Sequence, residues 1–193
     1  MNRIEILINS SKSVFTVQDL AVLWSLAKDR KLYESIKYYV RNGKLISLRR
    51  GLHALPQDIR EYSILELAQK LIPLSYISLE TALGQYGISF QFVSCIKSIA
   101  LISKKITVRN QIFQYHQVKS SVLYNNLGLI TNKECTIAGP ERAVCDSLYI
   151  YPNITFDNLR NVDFEKLKEI SQLYANTSLE NRIKQLMRKR EAR

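Results

Sequence analysis

Histidine, cysteine and carboxylate side chains carry most acid–base, nucleophilic and metal chemistry in proteins, and this sequence scatters them. Its two histidines, His53 and His116, each lie in a stretch typical of a strand. No segment has the glycine spacing of a phosphate-binding or dinucleotide-binding loop. The cysteines are odd in number and lack a C-x-x-C pair, which argues against a disulfide framework or a zinc site; they are Cys95, Cys135 and Cys145. The sequence therefore predicts a non-enzymatic protein without catalytic residues, metal or cofactor.

Four further polar residues lie in two segments after residue 56, namely Glu80, Glu141, Arg142 and Asp146. Arg142 and Asp146 are four residues apart, a spacing that lets them pair with each other on one helix. Glu141 follows Pro140 at a predicted helix start, where the helix dipole favours a negative charge. These spacings predict structural roles for the four residues.

Anion binding is the other chemistry that the composition offers. The chain has 28 Lys and Arg against 17 Asp and Glu, a formal net charge of +11. Residues 1–55 hold ten of the basic residues and four of the acidic ones. A basic excess of this kind points to nucleic acid or another anionic surface as partner and says nothing about the fold.

The segment NGKLISLRRGLHALP, residues 42–56, reads as two short strands joined by a turn. Its apex is Arg49-Arg50-Gly51, so two arginines stand at the exposed tip of a hairpin. Arginine suits contact with phosphate because its planar guanidinium donates two hydrogen bonds at once and stays charged.

Two helices precede this hairpin. The first begins after Thr16, whose hydroxyl can accept from the backbone N–H of Asp19. The second ends at Gly43, a residue type that tolerates the left-handed conformation after a helix. A leading helix over residues 2–10 completes the series. On the second helix of the pair, the face opposite the apolar stripe carries Lys31, Glu34, Lys37, Tyr38 and Arg41.

This order predicts a winged helix-turn-helix over residues 1–56, with its second helix in the major groove of DNA and the hairpin as the wing. An ordinary solvated helix face is the alternative for Lys37 or Arg41 taken alone. Taken with the hairpin and the local charge, the pattern favours contact with double-stranded DNA. The predicted DNA-binding residues are Lys31, Lys37, Tyr38, Arg41, Arg49 and Arg50.

Residues 57–193 are predicted to form an α+β domain with a predominantly antiparallel sheet. Its first helix should bury Ile64, Leu67, Ala68 and Leu71 and end before Pro73, and its second should be capped by Ser78. A basic tail runs from Arg182 to Arg193 and is either a nucleic-acid-binding segment or a solvated helix end. Since no secretory signal or apolar run of about 18 residues is present, we expect a cytoplasmic protein without a membrane span.

Three segments resemble the AbiEi family of antitoxins from bacterial type IV toxin–antitoxin systems. FTVQDL…YYVRNGKLISLRRGLHAL looks like the winged helix of that family, and YISLETALGQYGI and IAGPERAVCDSLYIYP look like two segments of its second domain. The resemblance covers residues 14–152. The matching positions are Lys37, Arg41, Arg49 and Arg50 for DNA, and Ser78, Glu80, Thr81, Pro140, Glu141, Arg142 and Asp146 in the second domain.

The resemblance implies a repressor that binds inverted repeats in its own promoter, with two copies on the DNA. It also implies an antitoxin that opposes a nucleotidyltransferase-fold toxin encoded beside it, without a stable complex between the two proteins. Tyr38-Tyr39 departs from the family pattern and makes a different sequence preference the expectation. Two alternatives remain open: a ligand-responsive winged-helix regulator, and a nucleic-acid-processing enzyme targeted by a winged helix.

Overall fold

The N-terminal part of the chain combines short helices with a small antiparallel sheet. In the computed structural model, which describes residues 2–91 and 94–191, residues 1–73 and 133–135 form one compact unit and the rest a second. The elements of the first unit are α1 (Arg3–Ile8), β1 (Val14–Thr16), α2 (Val17–Leu23), α3 (Arg30–Arg41), β2 (Ile46–Arg49), β3 (Leu52–Ala54) and α4 (Ile64–Leu71).

The sheet of the first unit has the strand order β1-β3-β2, with both pairs antiparallel. His53 on the central strand lies opposite Phe15 on one side and Ser47 on the other. The register of the β2–β3 hairpin shifts between Ser47 and Arg49. Gly51 completes the turn at a φ of +79°, a backbone conformation that favours glycine.

Helix α2 begins as its sequence predicts. Thr16 accepts from the backbone N–H of Asp19 at 3.0 Å, and the Asp19 carboxylate accepts from the backbone N–H of Thr16 at 2.9 Å. This reciprocal cap confirms the predicted helix start, and α1 confirms the predicted leading helix. Helices α1, α2 and α3 share one core, whose fully buried members include Leu7, Phe15, Leu20, Leu32 and Leu45.

Helix α4 belongs to the first unit, so that unit runs on to Pro73, whereas the sequence places the domain join at Pro56. The buried carboxylate of Glu66 accepts from the backbone N–H and the hydroxyl of Ser13, at 2.8 and 2.7 Å. The predicted apolar stripe of α4 is only partly confirmed, because Leu71 is half-buried. Ile64 is exposed, and Glu66 is buried beside Leu67 and Ala68.

The second unit places helices beside a larger sheet. Its elements are β4 (Tyr76–Ile77), α5 (Leu79–Gln85), β5 (Cys95–Ala100), β6 (Lys104–Val108), β7 (Gln111–Gln117), α6 (Ser120–Leu123), β8 (Leu129–Thr131), β9 (Thr136–Ala138), α7 (Pro140–Ile150), α8 (Phe164–Gln172) and α9 (Thr177–Glu191). Helix α7 packs against α5, α8 and α9. Residues 192 and 193, at the end of the predicted basic tail, lie outside the described residues.

The sheet of the second unit has the strand order β6-β7-β5-β4-β9-β8, and three of its five strand pairs are antiparallel, which agrees with the predicted predominantly antiparallel sheet. Strands β5 and β7 run parallel because β7 folds back from β6 and lies between β6 and β5. Strands β4 and β9 are also parallel. With its sheets and helices, the chain has the α+β fold class that its sequence predicts.

Within residues 2–91 and 94–191, none of the helices combines the length and apolar character needed to cross a membrane.

Candidate nucleic-acid interface and polar clusters

Helix α3 presents one apolar and one basic face. Asp29 caps the helix by accepting from the backbone N–H groups of Lys31 and Leu32, at 2.9 and 3.3 Å. Leu32 and Ile36 are buried in the core of the first unit. The exposed residues of the helix include the four predicted DNA-binding ones, Lys31, Lys37, Tyr38 and Arg41.

Tyr38 is 60% exposed and packs edge-on against Tyr39, with ring centroids 5.4 Å apart. Lys37 lies 3.5 Å from Glu34, in an ion pair whose two side chains are both mostly exposed. Exposed ion pairs of this kind contribute little, since water and salt screen both charges. Lys37 can therefore exchange Glu34 for a phosphate at small cost.

The hairpin tip presents the other two predicted residues. Arg49 ends β2 and Arg50 occupies the turn, and both side chains are exposed. None of the ion pairs found among the described residues includes Lys31, Arg41, Arg49 or Arg50. These four positive charges are thus available to an external anion.

One exposed aromatic residue of the same helix is absent from the residues predicted to bind DNA. Tyr33 is 44% exposed and lies one turn before Lys37, which is itself one turn before Arg41. The spacing of four residues could have identified Tyr33. Its position beside Leu32 reads as part of the apolar stripe when the sequence is taken alone.

His53 is buried in the centre of the three-stranded sheet, and its Nδ1 atom has no hydrogen-bond partner among the described residues. Burial lowers the pKa of His53, so its ring stays neutral at pH 7. The residue is part of the first unit's interior, as expected for an ordinary strand histidine.

Arg142 and Asp146 form the centre of a buried polar cluster in the second unit, with both side chains inaccessible to solvent. The Nε atom of Arg142 lies 3.8 Å from Oδ1 of Asp146, which confirms the predicted pairing. Arg142 also donates to the backbone carbonyls of Val122 and Leu127, at 2.7 and 2.8 Å. Its guanidinium is therefore held by acceptors of the protein itself.

Three hydroxyl groups donate to the Asp146 carboxylate: Tyr76 at 3.0 Å, Ser78 at 2.7 Å and Tyr174 at 2.6 Å. Burial raises the pKa of Asp146, against the opposing effect of Arg142 and the three hydroxyls. Ser78 occupies the N-cap position of α5 but makes no side-chain cap bond, which corrects its predicted role. The cluster satisfies its own polar groups in this way, so its role is structural.

This cluster joins the two segments that carry the resemblance in the second unit, because Tyr76 and Ser78 belong to one and Arg142 and Asp146 to the other. Tyr76 accepts from Nη2 of Arg142 at 3.0 Å. Burial and the Asp146 charge raise the pKa of Tyr76 well above its ordinary value, so the phenol keeps its proton. Neither Tyr76 nor Tyr174 could be identified from the sequence, since single tyrosines carry no spacing signal.

Glu141, in the first turn of α7, is also buried. It accepts from the backbone N–H of Asp163 at 3.1 Å and pairs with Lys166 at 3.3 Å. Glu141 thus connects α7 to the start of α8, which agrees with the predicted structural role.

A second polar chain of this unit runs through Glu80, Lys97, Tyr151 and His116. Lys97 donates to Glu80 at 2.5 Å and to the Tyr151 hydroxyl at 3.2 Å, and that hydroxyl lies 3.0 Å from Nε2 of His116. Burial lowers the pKa of His116, and the Lys97 charge adds to the shift. Burial disfavours the charged form of Lys97. Its interactions with Glu80 and Tyr151 favour the charged form more strongly, so the pKa of Lys97 is raised. These four residues therefore comprise the ion pair of Lys97 with Glu80, the phenol of Tyr151 and the neutral imidazole of His116.

Glu80 and Tyr151 also line a cavity of about 440 Å³. The other lining residues come from one loop position, Gln91, and from the end of α7 and the segment after it, residues 150–155. The cavity thus lies wholly within the second unit.

The described part of the chain has no group of three or more His, Cys, Asp or Glu side chains able to hold a metal ion. Cys135 and Cys145 are buried and Cys95 is half-buried. Burial raises the pKa of Cys135 to about 11, so this thiol stays protonated at pH 7.

A scan against models of protein families finds no match for the chain, and a search of curated proteins finds none either. Among solved structures, the chain is similar to the crystal structure of the Rv2827c protein from Mycobacterium tuberculosis, with a TM-score of 0.56. The similarity covers 93% of this chain and 73% of that chain at 14% sequence identity. At such an identity the likeness shows a common α+β fold and carries no statement about activity.

Proposed function

We propose that the protein is a DNA-binding autorepressor and antitoxin of a type IV toxin–antitoxin operon, with a winged helix in its first unit. One observation carries the DNA-binding part: a hairpin with two exposed arginines follows a pair of helices whose second member has an exposed basic face. The order helix, strand, helix, helix, hairpin and the sheet order β1-β3-β2 support this assignment.

In this proposal α3 enters the major groove and the hairpin tip contacts the DNA backbone. Lys31, Lys37 and Arg41 on α3 neutralise phosphates, and Tyr38 packs on sugar or donates to phosphate. Arg49 and Arg50 neutralise phosphates from the hairpin. Most of the affinity then comes from release of counterions, and α3 supplies the sequence preference. Two copies of the chain occupy the two halves of an inverted repeat.

The test is binding of the full chain to its own upstream DNA, titrated over a range of salt concentrations. We expect the wild type to prefer this DNA over unrelated DNA of the same length. In Arg49→Ala/Arg50→Ala and Lys37→Ala/Arg41→Ala, affinity should fall. The salt slope should become shallower by about 0.9 for each phosphate that the variant no longer neutralises.

Lys104→Ala/Lys105→Ala is the matched control, because it removes two exposed lysines from β6 of the second unit. It lowers the net charge by the same amount as each test variant and should bind like wild type. If all three double variants bind equally weakly, only net charge matters and the assigned surface is wrong. Equal affinity of wild type for upstream and unrelated DNA would contradict the repressor function.

The antitoxin role rests on the resemblance of the two second-unit segments to the AbiEi family. The partner is a nucleotidyltransferase-fold toxin encoded next to the protein, and opposition occurs in the cytoplasm without a stable complex. We expect co-expression of the chain to restore growth of cells that express this neighbour. The DNA-binding double variants should restore growth equally well, since repression and antitoxin action lie in different units. Failure of wild type to restore growth would contradict the antitoxin role and leave the DNA-binding proposal standing.

A further inference from the structure

Glu34 is the only acidic residue of α3, and it lies at the centre of the exposed face of that helix. It follows Leu32 by two residues and precedes Ile36 by two, and both of these side chains are buried in the core of the first unit. Since each residue turns an α-helix by about 100°, Glu34 lies opposite the midpoint of Leu32 and Ile36. Its side chain is 57% exposed and points directly away from the core.

Two lysines flank Glu34 on the surface of α3. Lys31 precedes it by three residues and Lys37 follows it by three, so they lie about 60° to either side of it. Both lysines neutralise phosphates in the proposed function, which leaves Glu34 between the two contacts with the DNA backbone. Glu34 is also the fifth residue of α3, and recognition helices contact base edges with their N-terminal residues.

The carboxylate of Glu34 is held only weakly by the protein. Its Oε1 atom lies 3.5 Å from Nζ of Lys37, in the exposed ion pair described above. Water and salt screen such a pair, so it contributes little to the fold. When Lys37 turns to a phosphate, the Glu34 carboxylate loses this partner. An ionised carboxylate can only accept hydrogen bonds, so it then requires a donor on the DNA.

DNA offers few donors to a carboxylate. Its backbone phosphates are negative and repel the side chain. In the major groove the donors are the amino groups on N4 of cytosine and N6 of adenine. Adenine carries the acceptor N7 beside its amino group, whereas cytosine presents the amino group without a second acceptor of its own. We propose that Glu34 accepts from N4 of a cytosine in the major groove and thereby determines the sequence preference of α3 at that base pair.

This inference rests on the proposed function, because it requires α3 to lie in the major groove of DNA. It adds which residue distinguishes among base pairs and which pair that residue selects. The contrasting role for Glu34 is general repulsion of phosphate, which would weaken binding to every DNA equally. The two roles predict different outcomes for the same variants, because only base readout changes the preference at a single pair.

Selection from a pool of random DNA duplexes, with sequencing of the bound fraction, tests the proposal on the full chain. We expect the duplexes selected by wild type to share a C·G pair that depends on Glu34. Glu34→Gln should change this pair to A·T, because a glutamine amide pairs with N6 and N7 of adenine. Glu34→Ala should lose the preference at this pair. Both variants should keep the wild-type preference at the other pairs.

Binding of defined duplexes measures the size of the effect. Exchange of the C·G pair for T·A in a selected duplex should weaken binding by wild type at least about fivefold. The same exchange should leave the affinity of Glu34→Ala unchanged, since this variant has no carboxylate to lose its donor. Glu61→Ala is the matched control, because it removes the same charge from an exposed position of the first unit outside α3. It should discriminate between the two duplexes like wild type.

The outcomes separate this inference from the proposed function. If wild type selects a common sequence and both Glu34 variants select the same one, the inference is wrong and the DNA-binding proposal stands. The inference is equally wrong if Glu34→Ala binds both defined duplexes more tightly by one common factor, which is the result of general repulsion. If wild type selects no common sequence, both proposals are wrong. The Trp24 fluorescence transition of each variant should match wild type, which shows that a changed preference does not come from unfolding.

Discussion

Arginine is used in opposite ways in the two units of this protein. At the hairpin tip of the first unit, Arg49 and Arg50 extend into solvent and take part in none of the ion pairs found among the described residues. In the second unit, Arg142 is completely buried. It donates to acceptors of the protein itself, which are the Tyr76 hydroxyl and the backbone carbonyls of Val122, Asn125 and Leu127.

The difference lies in where the acceptors come from. Burial of a guanidinium is tolerated only when its donors are paired, so Arg142 needs the surrounding carbonyls and the nearby Asp146. Arg49 and Arg50 remain hydrated, and a phosphate can replace that water. One arginine therefore stabilises the fold, and the other two are available for binding.

The largest effect is expected from breaking the buried side of this comparison. Arg142→Met should lower the free energy of unfolding of the second unit by about 3–5 kcal/mol, because it leaves the Asp146 carboxylate buried without its cation. Urea unfolding followed by far-ultraviolet circular dichroism measures this change. Arg188→Met, at an exposed position of α9, is the matched control and should unfold like wild type. If Arg142→Met and Arg188→Met have the same free energy of unfolding, the buried network contributes no stability.

Local signals in the sequence were sufficient for much of this architecture. The cap at Thr16 and the pairing of Arg142 with Asp146 follow from spacing within one or two helical turns, and both are present. The order of the six-stranded sheet could not be predicted, because it depends on which distant strands pair with each other, and the pattern within a single strand does not encode its neighbours. The short strand β4 was missed because two residues are too few to show any period.

The next effect concerns a buried carboxylate of the first unit. Glu66 Oε2 accepts from the backbone N–H and hydroxyl of Ser13 and from the backbone N–H of Val14. Glu66→Gln should lower the free energy of unfolding by about 1.5–3 kcal/mol, since it removes a charged acceptor of several bonds. Trp24, the single tryptophan of the chain, is buried in this unit and reports its unfolding by fluorescence.

Glu61→Gln is the control for this measurement, because Glu61 is exposed and lies just before α4. We expect it to leave the fluorescence transition unchanged. A transition of Glu66→Gln that coincides with that of Glu61→Gln would mean that the Ser13 anchor does not hold α4 in the first unit.

A smaller, pH-dependent effect is expected at Asp19. Burial opposes its ionisation, but bonds from Lys12, Thr16 and Lys70 outweigh burial and hold the pKa of Asp19 well below its ordinary value. A carboxylate with a lowered folded-state pKa stabilises fully above its unfolded pKa near 4, and the contribution disappears as pH falls through the lowered value. Asp19→Asn should therefore be less stable than wild type by about 1 kcal/mol at pH 7, and the gap should close in acid.

The difference in the free energy of unfolding between wild type and Asp19→Asn reports the contribution of Asp19 alone, because His53 is present in both proteins. Burial lowers the pKa of His53 in the folded protein. The contribution of the neutral ring to stability is therefore complete above the unfolded-state pKa near 6.5 and disappears as pH falls through the lowered folded-state pKa. Trp24 fluorescence during urea unfolding, repeated from pH 7 down to pH 3, measures both proteins. A gap that stays constant over this range would contradict the assigned ionisation of Asp19.

The candidate sites show where sequence reasoning reaches its limit. Lys37 and Arg41 could be placed on one face because helical spacing determines which side chains share a side. The cavity beside Glu80 could not be found in this way. Glu80, Gln91 and Tyr151 lie far apart in the sequence, and their approach depends on the packing of α5 and α7.

The smallest effect on stability is expected at the two exposed arginines of the hairpin tip. Arg49→Ala/Arg50→Ala should leave the Trp24 fluorescence transition unchanged, because neither arginine forms an ion pair among the described residues. Gly51→Ala in the same turn is the contrasting variant. A Cβ there meets nothing within 4 Å, yet the φ of +79° strains any residue with a side chain, so this variant should unfold earlier. If the double arginine variant unfolds as early as Gly51→Ala, the arginines hold the hairpin together, and weaker DNA binding by that variant would report a disturbed hairpin in place of missing phosphate contacts.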